Sequence, residues 1–77
     1  MNVVETVKSI LSKRVKKVDI DKLKETDSLK ELGLDSLDLV ELMLEIEDAF
    51  NIEFSSEEIE KLETLKEVLE LINKKIS

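Results

Sequence analysis

The chain has no cysteine, histidine, proline, tryptophan or tyrosine, and one glycine among 77 residues. Without cysteine there are no disulfides and no thiolate metal ligands, which suits a reducing compartment. Without histidine there is no imidazole to act as a base for a nucleophile. One glycine and no proline leave little from which to build strands joined by tight turns. No apolar run approaches the roughly 20 residues of a membrane span. The N-terminus lacks the charged start, apolar run and cleavage site of a signal peptide. The expectation is a soluble, cytoplasmic, monomeric protein.

What is present is charge and periodic apolar residues. Hydrophobic residues make up 42% of the chain and charged residues 40%; 19 acids against 12 bases give a net charge of -7. The apolar residues recur at regular spacing, which predicts a folded domain rather than a disordered one. At this length residues 1–77 form one domain. So acidic a field repels nucleic acid and anionic membranes, so the expected partners are proteins with basic surfaces.

Four helical patterns stand out. Val3, Val4, Val7, Ile10 and Leu11 recur at helical spacing, with Glu5, Lys8, Ser12 and Lys13 facing away. A long connection follows, about residues 15–35, in which Val18, Ile20, Leu23, Leu29, Leu32 and Leu34 look like plugs pinning a loop onto the core. Long loops in small domains usually carry function or hold a short helix, and "TDSLKEL" could form one turn of that kind. A second helix starts near Asp35, a good N-cap, with Asp38 in its first turn, and runs to about Phe50 or Asn51. Ser55 with Glu58, and Thr64 with Glu67, have the spacing of capping boxes opening a short third helix and a fourth. Along the fourth, Leu65, Val68, Leu69, Ile72 and Ile76 form one apolar stripe. The predicted fold is all-α: a small bundle of three longer helices and one short one.

The second helix carries two apolar stripes. At about 100° per residue, Leu39, Leu42, Met43, Ile46 and Phe50 share one face, which must serve the core. Leu37, Val40 and Leu44 form a second set on roughly the opposite side, bordered by Glu41, Glu47 and Asp48, with Ser36 at its N-terminal end. Two readings are open. Either these residues touch the long loop, Val40 above all, or they form an exposed strip rimmed by carboxylates, the pattern of a protein-docking surface.

Ser36 admits three readings. As a nucleophile it lacks a histidine base, and the nearest lysine in sequence, Lys30, lies in the polar loop. As a cap it competes with Asp35, which already fills that role. As a modification site it stands at a helix N-terminus, where unpaired N–H groups and the dipole tolerate phosphate. Asp35 and Asp38 would repel a bare phosphate, which favours a phosphodiester.

The stretch "GLDSLDLVEL", residues 33–42, closely resembles the Asp-Ser-Leu motif of acyl carrier proteins. The triplet alone is weak, since residues 27–29 spell it too, without the preceding glycine or the following helix. The likeness extends to "IEDAFNIEF", to "SSEEIEKLETL", and to the length, acidity and helix order. The resemblance implies that Ser36 receives 4′-phosphopantetheine from coenzyme A through a separate magnesium-dependent phosphopantetheinyl transferase. It implies that the arm's thiol bears acyl chains as thioesters, and that partner enzymes, not this chain, do the chemistry. Asp35, Leu37, Asp38, Val40, Glu41, Leu44, Glu47 and Asp48 resemble the positions that meet basic patches on those enzymes. Members also shelter the acyl chain between helices; Leu42, Met43, Ile46, Phe50, Phe54, Ile59, Leu62 and Val68 are candidates to line that cavity, or else ordinary core. Ser55 and Ser56 replace an expected proline and acid, Phe54 a more usual aliphatic residue, and Glu45 a small or uncharged one. These departures bear on partner preference and cavity size and leave the modification motif intact.

No metal site is expected. "DIDKLKETDSLK" begins like a calcium loop but places Leu23, Lys24 and Lys30 where ligands and glycine are required. Acids such as Glu41, Glu45 and Asp48 could bind divalent ions weakly, mainly as screening. Lys13, Arg14, Lys16 and Lys17 form a basic cluster suited to a helix C-terminus or to balancing acids. The function expected is therefore a freestanding acyl carrier of fatty acid synthesis. Its rivals are a carrier for polyketide, aminoacyl or other specialised units, and an unmodified acidic adaptor.

Overall fold

The computed structural model describes residues 2–15 and 22–77. Val18, Ile20, Lys16 and Lys17, and the start of the calcium-loop-like stretch, lie outside the described residues. Four helices follow in order: α1 Val3–Arg14, α2 Ser36–Phe50, α3 Ser56–Glu60 and α4 Leu65–Ile76. Among the described residues there is no β-sheet, only an isolated bridge between Ser28 and Thr64.

Local chemistry sets the helix ends. The Asn2 side chain accepts from the Glu5 N–H to open α1, and Lys13 and Arg14 complement the dipole at its end. Reciprocal capping boxes open α2 (Asp35 with Asp38), α3 (Ser55 with Glu58) and α4 (Thr64 with Glu67). Helix α2 stops at Asn51, which takes the left-handed conformation with φ 56°; asparagine tolerates that region better than most residues.

Val7, Ile10 and Leu11 of α1 meet Leu42, Met43 and Ile46 of α2 and Leu65, Val68, Leu69 and Ile72 of α4 in one core. The loop contributes Leu29, Leu32 and Leu34, all buried, while Leu23 packs against the core half-buried. Two residues depart from the expected stripes: Val4 and Ile76 are exposed. The inward face of α1 begins at Val3, so Val4 turns away. Residues 73–77 are all exposed, which leaves Ile76 in a last turn with nothing to pack on.

"TDSLKEL" forms hydrogen-bonded turns rather than a helix, with Leu32 N–H donating to the Ser28 carbonyl and Leu34 N–H to that of Leu29. Gly33 completes the turn at φ 89°. A Cβ there would meet nothing within 4 Å, so the glycine is required by its backbone dihedral and not by space. The loop is also stitched to the start of α4. Leu65 and Lys66 N–H groups donate to the carbonyls of Asp27 and Glu25, at 3.2 and 2.7 Å, and Leu29 N–H donates to Glu63 at 2.9 Å. The first free donors of α4 are thus satisfied by the loop, and the next, that of Glu67, by Thr64 Oγ1. The same stitching fixes the chain that leads into α2.

Candidate functional site

Ser36 is the first residue of α2. Asp35 Oδ1 accepts from Asp38 N–H at 2.8 Å, and Asp38 Oδ2 accepts from Asp35 N–H at 3.3 Å. With capping done by Asp35, the Ser36 hydroxyl makes no hydrogen bond among the described residues, and the residue is exposed. Among the described residues no base stands within hydrogen-bond reach of it, so the geometry supplies no activation of the hydroxyl as a nucleophile.

The division of α2 into two stripes is realised in space. Leu42, Met43 and Ile46 are fully buried, with Leu39 and Phe50 packed half-buried beside them. Leu37, Val40 and Leu44 are 66%, 40% and 53% exposed. An apolar strip therefore runs along the outer face from beside Ser36. Val40, its least exposed member, also borders a groove shared with the loop.

That groove, of about 930 Å³, lies between the loop, the start of α2 and α3. Leu29, Leu34, Leu39, Val40, Ile59 and Leu62 supply its apolar wall, and Ser36, Asp35 and Lys30 border it. Of the residues expected to line an internal cavity, Ile59 and Leu62 are found here. Leu42, Met43, Ile46 and Val68 are fully buried in the core, and Phe50 and Phe54 pack half-buried against it. The reason lies in which side of α2 each meets. Positions 42, 43 and 46 turn into the core shared with α1 and α4, whereas positions 39 and 40 turn toward the loop and α3. The sequence marks Leu29 and Leu34 only as plugs, because their place in a wall depends on how the loop lies against α2.

The acids of α2 differ in their engagement. Glu41 Oε2 lies 3.3 Å from Arg14 Nη1, and Glu45 Oε1 is hydrogen-bonded to Arg14 Nη2. That bond to Glu45 is the main cause that raises the Arg14 pKa above its ordinary value, with Glu41 adding to it against desolvation. Glu47 Oε2 accepts from Phe54 N–H at 2.6 Å, tying the α2–α3 connection to the helix. Asp48 is exposed and has no ion pair or hydrogen-bond partner among the described residues. The spacing of Glu41 and Glu45, one helical turn apart, was the one signal in the sequence for Arg14's fork. Among the described residues no three potential metal ligands converge, and no helix is long and apolar enough to cross a membrane.

Comparison with known proteins places this arrangement. A family described as "Phosphopantetheine attachment site" matches residues 5–72. An acyl carrier protein from Desulforapulum autotrophicum is 40% identical over 97% of this chain and 99% of its own. One from Buchnera aphidicola is 41% identical over 96% of this chain and 94% of its own. The crystal structure of an acyl carrier protein from Thermotoga maritima superposes with a TM-score of 0.85 at 31% identity, covering 96% of this chain and 86% of that one. An exposed, unengaged hydroxyl at the head of an acidic helix fits the cofactor these matches imply, and the chain belongs to the acyl carrier protein family: a carrier of acyl groups on 4′-phosphopantetheine, not an enzyme.

Proposed function

We propose that Ser36 is the attachment residue, and that the chain serves fatty acid synthesis in the cytoplasm. The observation that carries the assignment is the division of labour at the head of α2. Asp35 performs the capping, so the adjacent hydroxyl is held at a fixed place with nothing to do for the fold. The helix N-terminus behind it favours a phosphodiester through its dipole and unpaired N–H groups. When attached, the group supplies a thiol that this cysteine-free chain lacks, and partner enzymes build and release the thioesters.

The partners are a phosphopantetheinyl transferase and the enzymes of fatty acid synthesis, met through their basic patches. Leu37, Val40 and Leu44 offer apolar contact, and Asp35, Asp38, Glu41, Glu47 and Asp48 form the acidic rim. Such a rim steers encounter and sets orientation more than it adds affinity. The groove beside Ser36, walled by Leu39, Val40, Ile59 and Leu62, supports shelter for the part of the cargo nearest the attachment point.

The experiment is incubation with coenzyme A, magnesium and a broad-specificity transferase, followed by intact mass. A gain of one phosphopantetheine that disappears in Ser36→Ala is expected. An unchanged wild-type mass would leave an unmodified acidic adaptor as the better description. Charging the loaded protein by fatty acid synthesis enzymes, in preference to enzymes of polyketide or aminoacyl pathways, tests the pathway.

A further inference from the structure

The acids of the outer face of α2 are not equally available to a partner. Arg14, the last residue of α1, reaches across to α2 with both arms of its guanidinium, one to Glu41 and one to Glu45. Those two acids stand one turn apart, a spacing that suits a two-pronged donor. The Arg14 side chain is largely covered, and its Nε is buried without a hydrogen-bond partner among the described residues. The fork is therefore held by its packing as well as by charge. Glu45 is the less exposed of the two acids; Glu41, about half exposed, is the one more open to an incoming cation. Asp48, seven residues beyond Glu41 and so on the same face, has no such cation among the described residues.

We propose that Arg14 occupies, at Glu41, the position that a partner's basic side chain takes on docking, and so sets how strongly this corner of α2 recruits cationic partners. The inference rests on the docking role of α2 proposed above. Glu41 and Glu45 together carry two negative charges and Arg14 cancels one. A cation arriving at Glu41 meets a field already partly neutralised, whereas one arriving at Asp48 does not. Exposed ion pairs are weak and exchange readily. A partner can therefore displace Arg14 from Glu41 while Glu45 retains it. The pull on a partner is thereby weighted toward the Asp48 end of the helix, and Arg14 is a specificity-determining residue outside the strip itself.

The test is the rate of loading by a phosphopantetheinyl transferase with coenzyme A, at low and high salt. The proteins compared are wild type, Arg14→Gln, Lys13→Gln, Glu41→Gln and the Arg14→Gln/Glu41→Gln double variant. Lys13 is the neighbouring exposed cation, without an ion pair among the described residues, and its neutralisation matches the change in net charge. Arg14→Gln is expected to raise kcat/KM about threefold at low salt, a gain that shrinks at high salt. Lys13→Gln is expected to do far less, and Glu41→Gln to cost more in the Arg14→Gln background than in wild type. Should Gln at this place loosen the fold, as circular dichroism at the assay temperature reports, Arg14→Met keeps the apolar stem and gives the same direction. Equal gains from Arg14→Gln and Lys13→Gln, or a Glu41 effect identical in both backgrounds, would overturn the proposal while leaving the carrier reading intact. Absence of loading in every protein, wild type included, overturns the carrier reading and this proposal with it.

Discussion

Asp35 and Asp38 cap each other's backbone: the Asp35 carboxylate accepts from the Asp38 N–H at 2.8 Å, and the Asp38 carboxylate from the Asp35 N–H at 3.3 Å. Ser36 stands between them and takes no part. Ser36→Ala should therefore leave thermal stability within about 0.5 kcal/mol of wild type, as for an unengaged surface residue. Asp35→Ala should cost about 1 kcal/mol through the lost cap. That corresponds to a fall of about 4–8 °C in melting temperature for a domain of this size. Thermal melts of the two variants side by side check this; an equal loss from both would mean that Ser36 shares the capping.

The two stripes of α2 predict opposite phenotypes. Ile46→Ala empties a fully buried place in the core and should cost about 2–5 kcal/mol. Leu44→Ala, on the exposed strip, should change stability by no more than about 0.5 kcal/mol yet slow transfer to partner enzymes. Denaturant melts and acyl-transfer rates, measured on both variants, separate fold from docking.

Asp48→Lys should slow transfer without loss of helicity, because the residue is exposed and holds nothing in place. The deficit should shrink as salt screens the encounter. Transfer rates measured across a salt series, with circular dichroism as the control, test it. Rates indifferent to the reversal would remove Asp48 from the rim.

Glu58 predicts a pH effect with a definite sign. The Ser55 N–H donates to its carboxylate and Lys75 Nζ lies 3.0 Å away, and together they hold its pKa below the ordinary 4.5. The unfolded chain therefore binds the proton more readily than the folded one. The stabilisation is complete above about 4.5 and is lost as pH falls below that value toward the depressed folded one. Glu58→Gln removes this contribution. The stability gap between wild type and variant, from melts at several pH values, should close as the solution is acidified from pH 6 to the lowest pH at which both fold. A gap independent of pH would mean that the carboxylate's charge does not matter.

Much of this architecture was readable from spacing. Helix ends were legible because capping boxes are local, three residues from cap to partner, and the stripes of α2 because helical periodicity is local too. Ser36 stood out since Asp35 left it no capping role and the chain held no histidine to make it a nucleophile. What depended on how distant segments meet was not legible. Arg14 could be placed in a basic cluster but not against Glu41 and Glu45, since that contact follows from how α1 lies against α2 across a long loop. Leu29 and Leu34 read as plugs, because their part in the groove wall depends on how the loop is stitched to α4 through Leu65 and Lys66. Glu47 read as an acid of the rim; that its carboxylate also accepts from the Phe54 N–H depends on how the chain after Asn51 folds back on α2.

Whether Ser36 carries the phosphopantetheine arm is decided by the mass of the protein purified from its own cells, with the modified peptide mapped. A species heavier than the bare chain by one phosphopantetheine, alone or with an acyl group, is expected, with the addition confined to the peptide containing Ser36. A bare mass throughout, or an addition mapped to any other residue, would contradict it.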